Sequence, residues 1–176
     1  WFSWFADALH LVFTMMAIAW TIGMVGWPKY FSLPMELFLI PIIGFFVSKA
    51  VFGIVLYRKR VPCSWHDTIM ASIASMGLSH AIARGIFLGL WKKKGEFVRT
   101  AKSRRLSSKP SAFASVREEL LMFLALLACI FGMINSNAIT YTEGKLWIGI
   151  LAAQAIPYAS ALIGAWVAHQ SNEAMA

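Results

Sequence analysis

Acidic residues are scarce in this chain of 176 residues. Eight Asp and Glu side chains stand against sixteen Lys and Arg, and Asp occurs only at Asp7 and Asp67. Charged residues make up 14% of the sequence and hydrophobic residues 59%, whereas soluble domains carry about 25% charged residues. This composition excludes an ordinary soluble domain and predicts an integral membrane protein. The net charge of +8 then indicates contact with anionic lipid headgroups, and no nucleic-acid partner is expected.

Cysteine is also rare. Cys63 lies in a predicted cytoplasmic turn and Cys129 in a predicted membrane helix, so both are expected to be free thiols. His80 has no Cys, Asp or Glu at ligand spacing, so no metal site is predicted. The chain begins at Trp1 with no Met and no recognisable signal peptide, which predicts a fragment of a longer protein.

Long apolar runs dominate the sequence. A hydrocarbon core about 30 Å thick takes roughly 20 residues per helical crossing. The runs therefore predict an all-α integral membrane fold with four transmembrane helices, cytoplasmic interfacial helices and a basic cytoplasmic loop. Pro41 and Gly44 predict a kink in the second crossing. The predicted division is an interfacial lead-in at 1–7, two crossings at 8–57, an interfacial helix at 63–91, a basic loop at 92–115, two crossings at 116–169 and a cytoplasmic tail at 170–176.

Two basic clusters set the predicted orientation. One is at 58–60, and the other, in 92–115, holds eight of the sixteen Lys and Arg residues. The positive-inside rule places both in the cytoplasm, so the stretch at 63–91 between them should not cross the membrane. Its hydroxyl residues Thr68, Ser72, Ser75 and Ser79 share one helical face, which predicts an amphipathic helix at the cytoplasmic interface. A true crossing or a re-entrant hairpin is the alternative.

Lys49 is the one charge well inside the second apolar run. A lysine two turns from the membrane surface can extend its ammonium group to the headgroups. The alternative is that Lys49 lines a polar path through the helix bundle.

Within the basic loop, residues 97–102 read F-V-R-T-A-K. This motif resembles the FxVTxK gating loop of bacterial cellulose synthase and related processive family 2 glycosyltransferases, with Arg99 where the cellulose enzyme has Val. The run at 77–91, G-L-S-H-A-I-A-R-G-I-F-L-G-L-W, also resembles the membrane half of bacterial beta-glucan synthases. The predicted order of two crossings, an interface helix, a loop and two crossings is the order found in that family.

The resemblance implies that Phe97, Thr100 and Lys102 contact or cover a nucleotide sugar in the catalytic pocket. A Thr hydroxyl and a Lys ammonium suit a diphosphate, and Arg99 adds a fork-shaped donor. The alternative is a solvated loop that faces anionic lipid. The family's D-x-D residues, catalytic Asp and Q-x-x-R-W motif do not occur in this chain. No catalytic residue is therefore assigned, and Mg or Mn is expected only in a catalytic domain outside this sequence.

Polymer-path candidates follow from sugar chemistry, because sugars stack on aromatic rings and bond through their hydroxyl groups. For the aromatic candidates an interfacial belt is the alternative, and for the polar ones helix–helix hydrogen bonding. His80 and Arg84 are candidates for contact with the catalytic domain. The path candidates are Trp20, Trp27, Tyr30, Ser48, Gln154 and Tyr158.

The sequence thus predicts the membrane-channel and gating part of a polysaccharide synthase in the bacterial inner membrane. Its expected partners are the lipid bilayer, a cytoplasmic glycosyltransferase domain of the same parent chain, UDP-glucose as nucleotide sugar, and the polysaccharide product. A non-catalytic transporter subunit and a lipid-binding membrane scaffold are the alternatives. Alone, the chain is expected to be inactive.

Overall fold

The structure is a computed structural model that describes residues 2–32, 35–61, 63–91, 116–136 and 142–173. Throughout these ranges the regular structure is helical, with no strand, which confirms the predicted all-α membrane fold. The helices are α1 (Phe2–Gly26), α2 (Met35–Phe46), a π-helical turn (Val47–Val51), α3 (Phe52–Arg60), α4 (Trp65–Gly77), α5 (Ser79–Trp91), α6 (Arg117–Asn135) and α7 (Thr142–Glu173).

Among the described residues, four helical stretches are long and apolar enough to cross a membrane. Three of them correspond to predicted crossings, and the fourth is the stretch predicted to lie at the interface. The predicted second crossing is divided instead into α2, the π-helical turn and α3. Length and apolarity do not decide whether the α2–α3 segment or the stretch at 63–91 crosses the membrane. The assignment of 63–91 to the interface therefore stays a prediction. The four stretches are Trp4–Gly26, Trp65–Trp91, Arg117–Asn135 and Thr142–Gln170.

Helices α1 and α7 run antiparallel through the middle of the bundle. Thr21, near the end of α1, bonds Trp147, near the start of α7, whereas His10 faces Tyr158 further along α7. In these two helices a larger share of the most apolar 18-residue stretch is buried than in the other two candidate membrane spans. Their polar residues therefore face protein, where a side chain needs an internal partner. The apolar core around them includes Ala17, Phe38, Leu126, Leu151 and Ala155.

The segment from α2 to α3 changes its backbone geometry at Val47. Pro41 lies inside α2, and α-helical structure continues past it to Phe46. A π-helical turn then adds a residue to the helical repeat and changes which side chains face the bundle. The change of helical geometry therefore begins three residues after Gly44, the second of the two residues from which a kink was predicted.

Helix α4 begins with a capping box, in which Ser64 accepts from the backbone of Asp67 and the Asp67 carboxylate bonds back to Ser64. The helix ends in close contact with α7. A Cβ added to Gly77 would lie 3.1 Å from the backbone of Ala161. A short turn at Leu78 then leads into α5, which packs against α1.

The hydroxyl face of this segment is turned into the bundle. Thr68, Ser72 and Ser79 are buried, while Leu78 and Trp91 are exposed. Three of the four hydroxyl residues predicted to share a face are therefore buried against protein, and the fourth, Ser75, is half-buried. Small hydroxyl residues commonly mediate packing between membrane helices, so the stripe by itself does not favour the interface over the membrane.

Candidate functional site

One face of α1 carries polar side chains along most of the bundle. Asp7, His10, Thr14 and Thr21 follow at spacings of three, four and seven residues, which places them on one helical face. All four are buried. Because α1 is central, these side chains meet residues of α2, α5 and α7.

The strongest contact on this face is an ion pair inside the bundle. Lys49 Nζ lies 2.8 Å from Asp7 Oδ2, and the side chains are 5% and 0% exposed. Lys49 belongs to the π-helical turn, a local geometry that is frequent at functional sites. An unpaired charge at this depth would be costly, and pairing offsets part of that cost. The lysine therefore turns inward and does not extend to the headgroups.

Aromatic rings continue from the ion pair across the bundle. The His10 ring stacks on Phe45 with centroids 4.1 Å apart. The Tyr158 ring lies 5.8 Å from His10 on one side and 5.9 Å from His80 on the other. His10, Tyr158 and His80 thus form a row from α1 across α7 to α5.

Several buried polar atoms here have no hydrogen-bond partner among the described residues. Lys49 and Asp7 are close enough for an ion pair but do not have the geometry of a hydrogen bond. The Asp7 carboxylate can therefore accept further hydrogen bonds. Ser79 lies beside Asp7, and Thr14 beside Tyr158, without the geometry of a hydrogen bond. Besides the ion-paired Asp7 carboxylate, the groups without a hydrogen bond are His10 Nε2, Ser79 Oγ, His80 Nδ1, the Gln154 amide and the Tyr158 hydroxyl.

Beyond His80 the row reaches the base of the basic loop. His80 Nε2 lies 3.2 Å from Glu118 Oε2, and Arg84 Nη1 lies 2.9 Å from Glu118 Oε1. Glu118 is in the first turn of α6, and the two basic residues are on α5. We call these three residues the loop-base clamp. A cleft of about 600 Å³ is lined by the clamp and by Arg117 and Glu119, among others.

The predicted gating-loop residues Phe97, Arg99, Thr100 and Lys102 lie outside the described residues, and their role stays a prediction. The two catalytic-domain candidates are brought together, since both His80 and Arg84 bond Glu118. Whether they also meet a catalytic domain stays a prediction.

The structure does not bring the polymer-path candidates into one line. Trp27 and Tyr30 are exposed beyond the end of α1, and Trp20 is half-buried and donates to the Ser32 carbonyl. Gln154 and Tyr158 are instead enclosed in the core. The Ser48 side chain lies outside the described residues.

Sequence reasoning missed the importance of Asp7, His10 and Glu118. A usable signal was present, because Asp7, His10, Thr14 and Thr21 repeat at helical spacing in an otherwise apolar segment. The pairing of Asp7 with Lys49 had no such signal, since it depends on how two separate helices align.

Within the described ranges, no three His, Cys, Asp or Glu side chains lie close enough together to hold a metal ion. Comparison of the chain with protein-family models, curated proteins and solved structures finds no match.

Proposed function

We propose that this chain is the membrane and gating part of a polysaccharide synthase. The parent protein would polymerise sugar from a nucleotide sugar, with UDP-glucose and a beta-glucan product as the first candidates, and move the polymer across the bacterial inner membrane. Its glycosyltransferase domain would supply the catalytic residues together with Mg or Mn. The present chain would hold the polymer and close the active site over the nucleotide sugar.

The observation that carries this proposal is the loop-base clamp. Helix α5 ends at Trp91 and α6 begins at Arg117, so these helices flank the basic loop on either side. His80 and Arg84 on α5 both bond Glu118 on α6, which holds the two flanking helices together. Arg84 lies about two turns before the end of α5, so the contact joins the first half of α5 to the first turn of α6, which follows the loop.

The chemistry of the loop sequence supports an anionic ligand. Residues 97–102 combine a hydroxyl donor, an ammonium group and a guanidinium group within six positions. Charge-assisted hydrogen bonds from Lys and Arg to phosphate are stronger than neutral ones, and Arg adds bidentate geometry. Phe97 supplies an apolar ring for the pocket wall. This set suits a sugar diphosphate better than it suits a neutral sugar.

The burial pattern limits where a polymer can pass. Gln154 and Tyr158 are at most 1% exposed, so a sugar chain does not fit beside them in this bundle. Trp27 and Tyr30 are exposed at the far end of α1. A polymer path would therefore follow the surface of the bundle, with further helices of the parent chain as its other wall.

The proposal is tested with the full-length protein in membranes and a photoreactive UDP-sugar analogue. Labelling should map to residues 97–102, compete with UDP, and weaken severalfold in Thr100→Ala and Lys102→Ala. Ser108→Ala and Lys109→Ala change similar groups in the same loop and should leave labelling unchanged. Labelling confined to other regions, with polymer synthesis unaffected by all four substitutions, would contradict the gating role.

A second candidate function, a transporter subunit, is favoured by one observation. Asp7 and Lys49 are buried charges within apolar helices, and such residues commonly mark ion or substrate paths in membrane proteins. UDP-glucose supplied to the full-length protein in proteoliposomes separates the two functions. Formation of polymer supports the synthase, and its absence from protein with an intact fold supports the transporter.

A further inference from the structure

We infer that the ion pair and the polar groups around it form a hydrated site inside the helix bundle, with water as the ligand. The site consists of Asp7, His10, Lys49, Ser79 and Tyr158. It is independent of what the basic loop binds, and no step of the proposed synthase reaction uses it.

Unmet hydrogen-bonding capacity is concentrated around the ion pair. Asp7 Oδ2 pairs with Lys49, but four buried atoms of the site have no hydrogen-bond partner among the described residues: Asp7 Oδ1, His10 Nε2, Ser79 Oγ and the Tyr158 hydroxyl. Leaving a buried polar group unpaired costs about 1–3 kcal/mol, and more when the group is charged. Native proteins meet such capacity with internal water, which typically makes about three hydrogen bonds.

The polar groups of the site come from four different elements. Asp7 and His10 belong to α1, Lys49 to the π-helical turn, Ser79 to α5 and Tyr158 to α7. The Lys49 ammonium has three donors, of which Asp7 engages at most a part. Donors and acceptors from four elements therefore lie along the first half of α1, and internal water can bridge those that the helices leave unpaired.

His80 connects the site with the cleft. Its Nε2 lies 3.2 Å from Glu118, which is about half exposed, while its Nδ1 is buried without a partner among the described residues. The ring therefore has one nitrogen at the cleft and the other inside the bundle. Water would enter the site past this ring.

Hydroxyl-radical footprinting of the full-length protein in lipid nanodiscs tests the inference, because radicals formed from internal water modify adjacent rings. Tyr158 and His10 are buried, and so are Phe38 and Trp147 in the apolar core, with exposures between 0% and 5%. We expect Tyr158 and His10 to be modified severalfold faster than Phe38 and Trp147. Equal protection of all four rings would overturn the inference.

A double substitution, Asp7→Asn with Lys49→Met, sharpens the test by removing both charges. Modification of His10 should fall towards that of Phe38, while Lys145→Met, at an exposed lysine of α7, should leave it unchanged. An unchanged His10 rate in a folded double variant would show that water is not held by the ion pair. The comparison of rings in the unsubstituted protein decides the question if the double variant does not fold.

Discussion

The two ends of the central helix pair differ in how their buried polar groups are satisfied. Towards the end of α1, the Trp147 indole donates to the Thr21 hydroxyl at 3.0 Å, and that hydroxyl donates to the Ala17 carbonyl at 2.7 Å. Towards its start, Asp7 and His10 have oxygen and nitrogen atoms without partners among the described residues. We call the first region the bonded end and the second the charged end.

The difference indicates two roles for one pair of helices. Fully bonded polar groups stabilise a unique packing, as the contact between Thr21 and Trp147 does. Partly bonded charged groups inside a membrane bundle are expensive, and they persist where a ligand or a function needs them. The charged end is also the end connected through His80 to the loop-base clamp.

The largest effect is expected from breaking the ion pair at the charged end. Asp7→Asn or Lys49→Met alone leaves its partner as a buried unpaired charge, and should lower the free energy of unfolding by about 3–5 kcal/mol. The double variant should recover most of that loss. Thermal unfolding of the full-length protein in detergent measures all three variants, with Lys145→Met as the control. Additive losses in the double variant would show that the two side chains do not interact.

The close approach of α4 to α7 is the next contact to test. Gly77→Ala would place a Cβ 3.1 Å from the Ala161 backbone, so the helices must separate, at a cost of about 1–3 kcal/mol. Gly85→Ala in α5 is the matched control, because a Cβ there meets nothing within 4 Å. It should be neutral or stabilising, since Ala has the higher helix propensity. The same unfolding measurement checks both, and equal effects would contradict the close packing.

At the bonded end a loss no larger than that of Gly77→Ala is expected. Thr21→Val keeps the shape of the side chain but removes the acceptor of the Trp147 indole, which should cost about 1–3 kcal/mol. Ser160→Ala removes a buried hydroxyl that donates to Ile156 one turn earlier in the same helix, and should cost less. If the Thr21→Val protein is as stable as the Ser160→Ala protein, the bond between Thr21 and Trp147 does not stabilise the packing of α1 on α7.

The smallest effect is expected on cysteine labelling, with no change in the stability of the protein. Cys63 is partly exposed, and a membrane-impermeant maleimide should label it only after the membrane is permeabilised. Lys92→Cys, at the other end of the predicted interfacial helix, should behave in the same way. Labelling of that cysteine in intact cells would show that 63–91 crosses the membrane.

The sequence was sufficient to predict the fold class, because apolar runs of membrane-spanning length need no tertiary information. It also predicted that Thr68, Ser72 and Ser79 share a face, since that follows from helical spacing alone. Whether that face met water or protein was not predictable, because the answer depends on where α7 lies. A kink was predicted at Pro41 and Gly44, and the backbone takes π-helical geometry from Val47 onwards.

The candidate site was less predictable than the fold. Lys49 was recognisable as unusual, but its partner Asp7 is 42 positions away, and that contact is set by the alignment of α1 with the π-helical turn. Glu118 was recognisable only as an acidic residue in the first turn of a helix. Its contacts with His80 and Arg84 depend on where the first turn of α6 lies relative to α5, which the sequence does not show.

The most direct test of the account concerns the proposed link between the loop-base clamp and the nucleotide-sugar contact of residues 97–102. Arg84→Glu and Glu118→Arg each replace the attraction between α5 and α6 with repulsion, and the double variant restores it with exchanged charges. Photo-crosslinking of the UDP-sugar analogue to residues 97–102 of the full-length protein is measured in all three variants. The account predicts a severalfold loss in each single variant and recovery in the double. Unchanged crosslinking in both single variants would contradict it.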